Sequence, residues 1–235
     1  MAYHSISDIP SDEWTVSPAQ LEAHLRLLKE QGFEICTLPD LVGCLENGLE
    51  VSGKVCLTFD DGFRDFRENA LSILQAWGAP AVVFIPMGKV GGVSDWSQSA
   101  PYRSLMNWKD LEVCRQAGIT IGGHGMNHCR LIGLPSRVAL EEFEITRDLL
   151  TEQLGIGDHH FAYPYGEASE RERGMAKACG YRSAFIFGGL WGNAADSDRW
   201  GLTREPIRGN THLSDIKSIL SGWRDIKELM RCLWE

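Results

Sequence analysis

Short apolar runs alternate with amphipathic stretches along the chain, and this rhythm predicts its elements. Ser17-Pro-Ala-Gln20 opens the first clear helix, with Ser17 as cap, Pro18 in the first turn and Gln20 placed to close a capping box. Leu21, Leu25 and Leu28 recur on one face, and Gly32 stops the pattern. A strand follows over 33–38, then a short helix from Asp40 to near Gly48. Residues 54–59 form the clearest strand and deliver the chain into Asp60-Asp61-Gly62. Helical spacing resumes over about 66–77, with a strand at 81–85 behind it. Residues 86–107 are rich in Gly, Ser and Pro without a period, so they are expected to be loop. Asn107 caps a helix running to Ala117, and 119–121 is a short strand. The longest helical pattern spans 135–154, with Val138, Ile145, Leu149 and Leu150 supplying an apolar side and Phe143 offset from it. Strands at 161–163 and 182–187 flank a helix at 167–179. Residues 188–201 read as loop, 202–207 as an extended piece, and 213–233 as a final helix.

Strands alternating with helices imply a parallel sheet. About seven such units predict an α/β fold whose sheet stays open or curls into a barrel. No repeat, low-complexity tract or linker divides the 235 residues, so 1–235 is expected to be one domain.

Composition narrows the partners. A formal net charge of −9 argues against sequence-independent nucleic-acid binding, which needs a basic surface, and against docking on anionic membranes. No apolar run approaches the roughly 18–20 residues that span a bilayer. Seven cysteines, an odd number with no CxxC and several in apolar runs, suggest reduced, buried thiols. Met1-Ala-Tyr-His-Ser-Ile lacks the basic and apolar regions of a signal peptide, so with Met1 as the native start the expected location is the cytoplasm.

Three constellations could carry chemistry. Asp60 and Asp61 are adjacent carboxylates at the end of an apolar strand; a turn helped by Gly62 could make them converge on one pocket, although Asp-Asp-Gly is also ordinary turn and capping chemistry. Gly122-Gly-His-Gly-Met-Asn-His128 follows another strand, and His124 and His128 would share a face if that stretch made a helical turn. Two neutral nitrogens and one carboxylate, with a second carboxylate left over, is the layout for a metal that activates water beside a free base. The third is Phe161-Ala-Tyr-Pro-Tyr-Gly166, a rigid turn at a strand's end. Asp158-His-His160 just before it is a rival metal cluster on the entry side of its strand.

Thr58-Phe-Asp-Asp-Gly62, His124-xxx-His128 and Pro164-Tyr-Gly166, in this order, resemble the motifs of the polysaccharide deacetylases, carbohydrate esterase family four. The likeness runs from Tyr3 to about Ile207 and implies an incomplete or distorted (β/α) barrel of about seven strands, with one divalent metal at its C-terminal mouth. It implies Asp61, His124 and His128 as metal ligands, Asp60 as general base, and the Tyr165 backbone N–H as an oxyanion donor. Tyr3-His-Ser-Ile6 resembles the start of a rearranged branch that includes poly-N-acetylglucosamine deacetylases, which assigns the general acid to His4 in place of a C-terminal histidine. Thr203-Arg-Glu-Pro206 resembles that branch's later arginine, so Arg204 is expected to keep Asp60 ionised and oriented; the plain alternative is a surface ion pair.

The sequence departs from the family at three places. Ala162 stands where Arg is usual. Gly125 replaces a loop-bracing Ser or Thr, which is expected to loosen the histidine loop. The first strand has almost no residues before Tyr3, which is expected to weaken closure of the barrel or to mark a different start codon.

Two histidines and a carboxylate suit zinc, and also cobalt or nickel. The implied reaction is removal of an N-acetyl group from an amino sugar, nucleotide-linked, lipid-linked or oligomeric, in surface-polysaccharide synthesis. Trp96, Tyr102, Trp191 and Trp200 are candidate stacking platforms. Rival readings are an allantoinase-like hydrolase of small amides or ureides, expected to have a closed polar pocket, and a non-catalytic sugar-binding relative. Oligomeric state is not encoded in any pattern found.

Overall fold

The computed structural model describes residues 1–9, 12–96, 102–188, 192–194 and 196–221. Seven parallel strands form one sheet in chain order: β1 (Ala2–Tyr3), β2 (Leu57–Phe59), β3 (Ala81–Ile85), β4 (Thr120–Gly123), β5 (His160–Ala162), β6 (Ser183–Phe187) and β7 (Leu202–Arg204). Every residue of β3 is buried, as a central parallel strand covered on both faces must be. The sheet curls almost into a closed barrel. Across the remaining seam the Ala2 N–H donates to the Glu205 carbonyl at 2.8 Å and the Ile207 N–H to the Ala2 carbonyl at 2.8 Å. The brevity of β1 therefore does not leave the seam open, contrary to expectation.

Helices α1 (Pro18–Glu30), α2 (Leu38–Glu46), α3 (Leu71–Trp77), α4 (Trp108–Gln116), α5 (Ser136–Leu154), α6 (Glu170–Ala178) and α7 (Leu213–Leu220) pack outside the sheet. The Ser17–Gln20 capping box opens α1, and Leu21, Leu25 and Leu28 are buried as their spacing predicted. A π-helical turn, Phe66–Ala70, leads into α3. The part of the predicted last helix beyond residue 221 lies outside the described residues.

Two readings need correction. The strand expected over 33–38 is only Glu34–Ile35, paired with Lys54–Val55 beside the main sheet, because Thr37 caps α2 and ends the extended run. On α5 the buried face is Ala139, Glu142, Phe143, Thr146, Leu150 and Leu154, while Val138 and Ile145 are exposed. The most apolar residues do not mark the inner face of α5, because two of its inward positions, Glu142 and Thr146, are polar.

Strand β4 runs on through both of its glycines. A Cβ at Gly122 would stand 2.6 Å from the Phe84 ring, and one at Gly123 would stand 2.4 Å from Thr146 Cγ2. Without side chains at these two positions, β4 packs tightly against both neighbours and delivers His124 directly at its C-terminal end.

Candidate metal centre and active site

The site is assembled at the C-terminal ends of the strands, where parallel α/β proteins place their chemistry. Strand β2 ends at Phe59. Asp61 then adopts a left-handed backbone (φ 72°) and Gly62 another (φ 67°), so the two aspartates turn inward together. His124 follows β4 and His128 closes the same loop. The loop is not the helical turn anticipated from the i, i+4 spacing. Gly125 (φ 76°) and His128 (φ 53°) bend it instead. Among the described residues, Asp61, His128 and Tyr165 are the non-glycine positions with positive φ. All three line one cavity. Such backbone is costly and persists where surrounding structure enforces it.

Asp61, His124 and His128, all buried, offer ligand atoms within 4.8 Å of one another. His124 Nε2 lies 3.4 Å and His128 Nε2 3.0 Å from Asp61 Oδ1. The Ala162 carbonyl lies 2.7 Å from His124 Nδ1 and accepts a hydrogen bond from it, which turns Nε2 towards Asp61. Asp61 Oδ1 is buried without a hydrogen-bond partner. Burial alone would raise the Asp61 carboxyl, but the neighbouring imidazoles hold it well below the usual carboxylate range. Two imidazole nitrogens converging on a buried carboxylate oxygen fit a divalent cation.

Asp60 stands beside this triangle and is 1% exposed at its side chain. Arg204 grips it with two hydrogen bonds, Nη1 to Oδ1 at 2.6 Å and Nη2 to Oδ2 at 2.8 Å, and also donates from Nη1 to Thr58 Oγ1 at 2.9 Å. The guanidinium is itself buried among the rings of Phe84, Phe185 and Phe187. It is therefore no surface arginine. Burial pushes the Asp60 carboxyl up, and Arg204 with His124 more than offsets this, leaving it below its ordinary value.

His4 lines the same cavity, buried, with Nδ1 lacking any partner and its ring 4.6 Å from that of Trp14. The segment after it is fastened to Asp65, which accepts from Ser5 Oγ and from the Ile6 N–H at 3.1 Å. Burial lowers the His4 imidazole, against the opposing pull of Asp61 and Asp60. Tyr165 sits in the Pro164–Gly166 turn (φ 63°), its ring 4.9 Å from His128.

The cavity is about 560 Å³, and its walls include residues with no sequence signature. Trp14 is the clearest: pairing of Ser5–Ile6 with Thr15–Val16 brings it beside His4. Phe187, Arg103 and Arg208 also line it. Of the proposed platforms, Trp96 stacks on His128 at 4.3 Å. Trp200 instead donates from Nε1 to the Tyr181 carbonyl and packs against the cluster around Phe143, and Tyr102 is exposed; neither lines the cavity, and Trp191 lies outside the described residues. The rival cluster is structural: Asp158 pairs with Arg182 at 2.8 Å, and His160 lies 2.7 Å from Ser183 Oγ at the entry to β5.

A parallel (β/α) barrel with its polar site at the strand ends is a scaffold for hydrolases and related enzymes. The sequence profile of the polysaccharide deacetylases matches residues 50–184, more than half of the chain, and the chain belongs to that family. The poly-β-1,6-N-acetyl-D-glucosamine N-deacetylase of Escherichia coli (strain K12) is 24% identical over 255 aligned positions, covering 92% of this chain and 37% of the relative. The enzyme of the same name from Staphylococcus aureus (strain MRSA252) is 23% identical, covering 73% of this chain and 61% of the relative. The chain thus spans roughly a third to three fifths of these relatives. The Streptococcus pyogenes deacetylase PplD, solved with acetate, superposes with a TM-score of 0.79 at 22% identity, over 94% of this chain and 96% of that one. It shares the barrel fold.

Proposed function

We propose that the protein is a metal-dependent N-deacetylase of amino sugars, with oligomeric β-1,6-linked N-acetylglucosamine as the first substrate to try. The observation that carries this reading is the buried Asp61–His124–His128 triangle beside an Asp60 held by Arg204. Zinc suits two nitrogens and one carboxylate, with cobalt and nickel as alternatives. A cation held there supplies Lewis acidity towards an amide carbonyl and acidifies water.

The chain's own groups do the rest. Asp60 takes a proton from the attacking water, which it can do because Arg204 keeps it ionised and oriented. The new C–O bond places negative charge on the former carbonyl oxygen, and the Tyr165 N–H donates to it. As the C–N bond breaks, a protonated His4 gives its proton to the departing nitrogen. The proton that Asp60 took from water passes on to restore His4, so acetic acid, which ionises to acetate, and the free amino sugar leave. Burial lowers the His4 imidazole, and Asp61 and Asp60 are the groups that favour the protonated form the acid needs. Trp14, Trp96, Tyr165 and Phe187 give the cavity an aromatic lining that suits sugar rings and argues against the small polar pocket of an amide or ureide hydrolase.

Acetate release from β-1,6-linked N-acetylglucosamine oligomers, a nucleotide-linked N-acetyl sugar, a lipid-linked one and allantoin tests this reading. The oligomer is expected to be fastest, and His4→Ala to lower its kcat by about 10²-fold with metal binding intact. Hydrolysis of allantoin alone would overturn the substrate class, and near-normal turnover by His4→Ala would remove it as the acid.

A further inference from the structure

Gly125 lacks the loop-bracing hydroxyl its position calls for, yet the His124–His128 loop is not loose. Its carbonyl side is held by the residues just after β3. The Met87 N–H donates to the Gly125 carbonyl at 2.9 Å and the Gly88 N–H to the Met126 carbonyl at 2.9 Å. Its amide side closes on a carboxylate from α5. Glu142 Oε2 accepts from the Met126 N–H at 2.6 Å and the Asn127 N–H at 3.2 Å, and Oε1 accepts from Asn127 Nδ2 at 2.9 Å.

Glu142 is 6% exposed and turned inward on a helix face otherwise made of Ala139, Phe143, Thr146, Leu150 and Leu154. Among the described residues no cationic side chain pairs with it. Burying a carboxylate there is costly unless its hydrogen bonds are supplied, and the loop supplies them. Successive backbone N–H groups converging on one oxygen form an anion nest. The left-handed Gly125 precedes this nest, and a Cβ at Gly125 would lie 2.9 Å from Glu142 Oε2. The glycine and the glutamate thus fit as one unit.

We propose that Glu142 is a positioning residue for the metal centre: by gripping the amides between His124 and His128, it sets the spacing of the two imidazoles. This rests on the metal-centre reading above. Glu142 touches neither ligand nor substrate, so its effect is carried by the loop, in the manner of outer-shell partners whose loss costs about 10–100-fold in metal affinity.

The test is zinc titration of metal-stripped protein against a chromophoric chelator, with the thermal midpoint of the metal-free form measured alongside. Glu142→Ala is expected to weaken zinc binding by about tenfold or more while its metal-free form still folds cooperatively. Glu142→Gln, whose amide oxygen can still accept from Met126 and Asn127, is expected to restore most of that affinity. Should Glu142→Ala not fold, Glu142→Asp withdraws the carboxylate by one methylene and is expected to weaken zinc in the same direction. Wild-type zinc affinity in the Ala variant, or in the Asp variant where that one decides, would overturn the inference and leave the metal centre standing. Failure of the wild-type protein to bind zinc, cobalt or nickel would bring down both.

Discussion

Asp60→Asn is expected to lower acetate release by about 10²–10⁴-fold, the range that a positioned general base contributes. The side chain keeps its volume, and its amide oxygen can still accept one hydrogen bond from Arg204. What disappears is the ability to take a proton. Asp61, His124 and His128 are untouched, so zinc affinity is expected to stay within a few-fold of wild type. Initial rates and a zinc titration on the same preparation separate the two effects. Activity within tenfold of wild type would remove Asp60 as the base.

Arg204→Leu is expected to harm both stability and activity. The pair is buried on both sides, 3% and 1% exposed at its side chains, and removing one partner leaves a charge without compensation. Breaking such a pair costs about 3–5 kcal/mol, which denaturant unfolding at pH 7 would register. The pH dependence follows from the same charges. Burial raises the Asp60 carboxyl, and Arg204 is foremost among the groups that bring it below its ordinary value. A depressed carboxyl contributes stability above its unfolded value near 3.9, and that stability is lost as the pH falls through the folded value. Without Arg204, burial prevails and Asp60 keeps its proton to higher pH. The acidic limb of the kcat/KM profile should move upward, with part of the activity returning as the pH is raised. An unchanged limb together with wild-type stability would show that the ion pair has neither role.

The residues that meet at the metal triangle were legible because they are chemically unusual where they stand. A doubled carboxylate ending an apolar strand and two histidines after another strand have few uses, and the parallel alternation put both at one end of the sheet. Arg204 was reached through the motif around it; its contact with Asp60 spans 144 positions, a separation over which periodicity carries no information. The i, i+4 spacing of the histidines suits a helical turn, and nothing local announces the left-handed bend at His128. Trp14 was invisible as a cavity residue, since only the small Ser5–Ile6 and Thr15–Val16 pairing brings it to His4. Glu142 was hidden for the opposite reason. A glutamate in an amphipathic helix counts as a solvent residue until the loop it serves is in place, and for the same reason apolarity alone puts the inner face of α5 at the exposed Val138 and Ile145.

The central claim is that Asp61, His124 and His128 hold a metal on which turnover depends. The most direct measurement is acetate release from β-1,6-linked N-acetylglucosamine oligomers by chelator-stripped protein, before and after one equivalent of zinc, cobalt or nickel, with His128→Ala in parallel. Activity should be absent after stripping, return at a stoichiometry near one, and fail to return in His128→Ala. Full activity in the stripped protein, or equal recovery in His128→Ala, would contradict it.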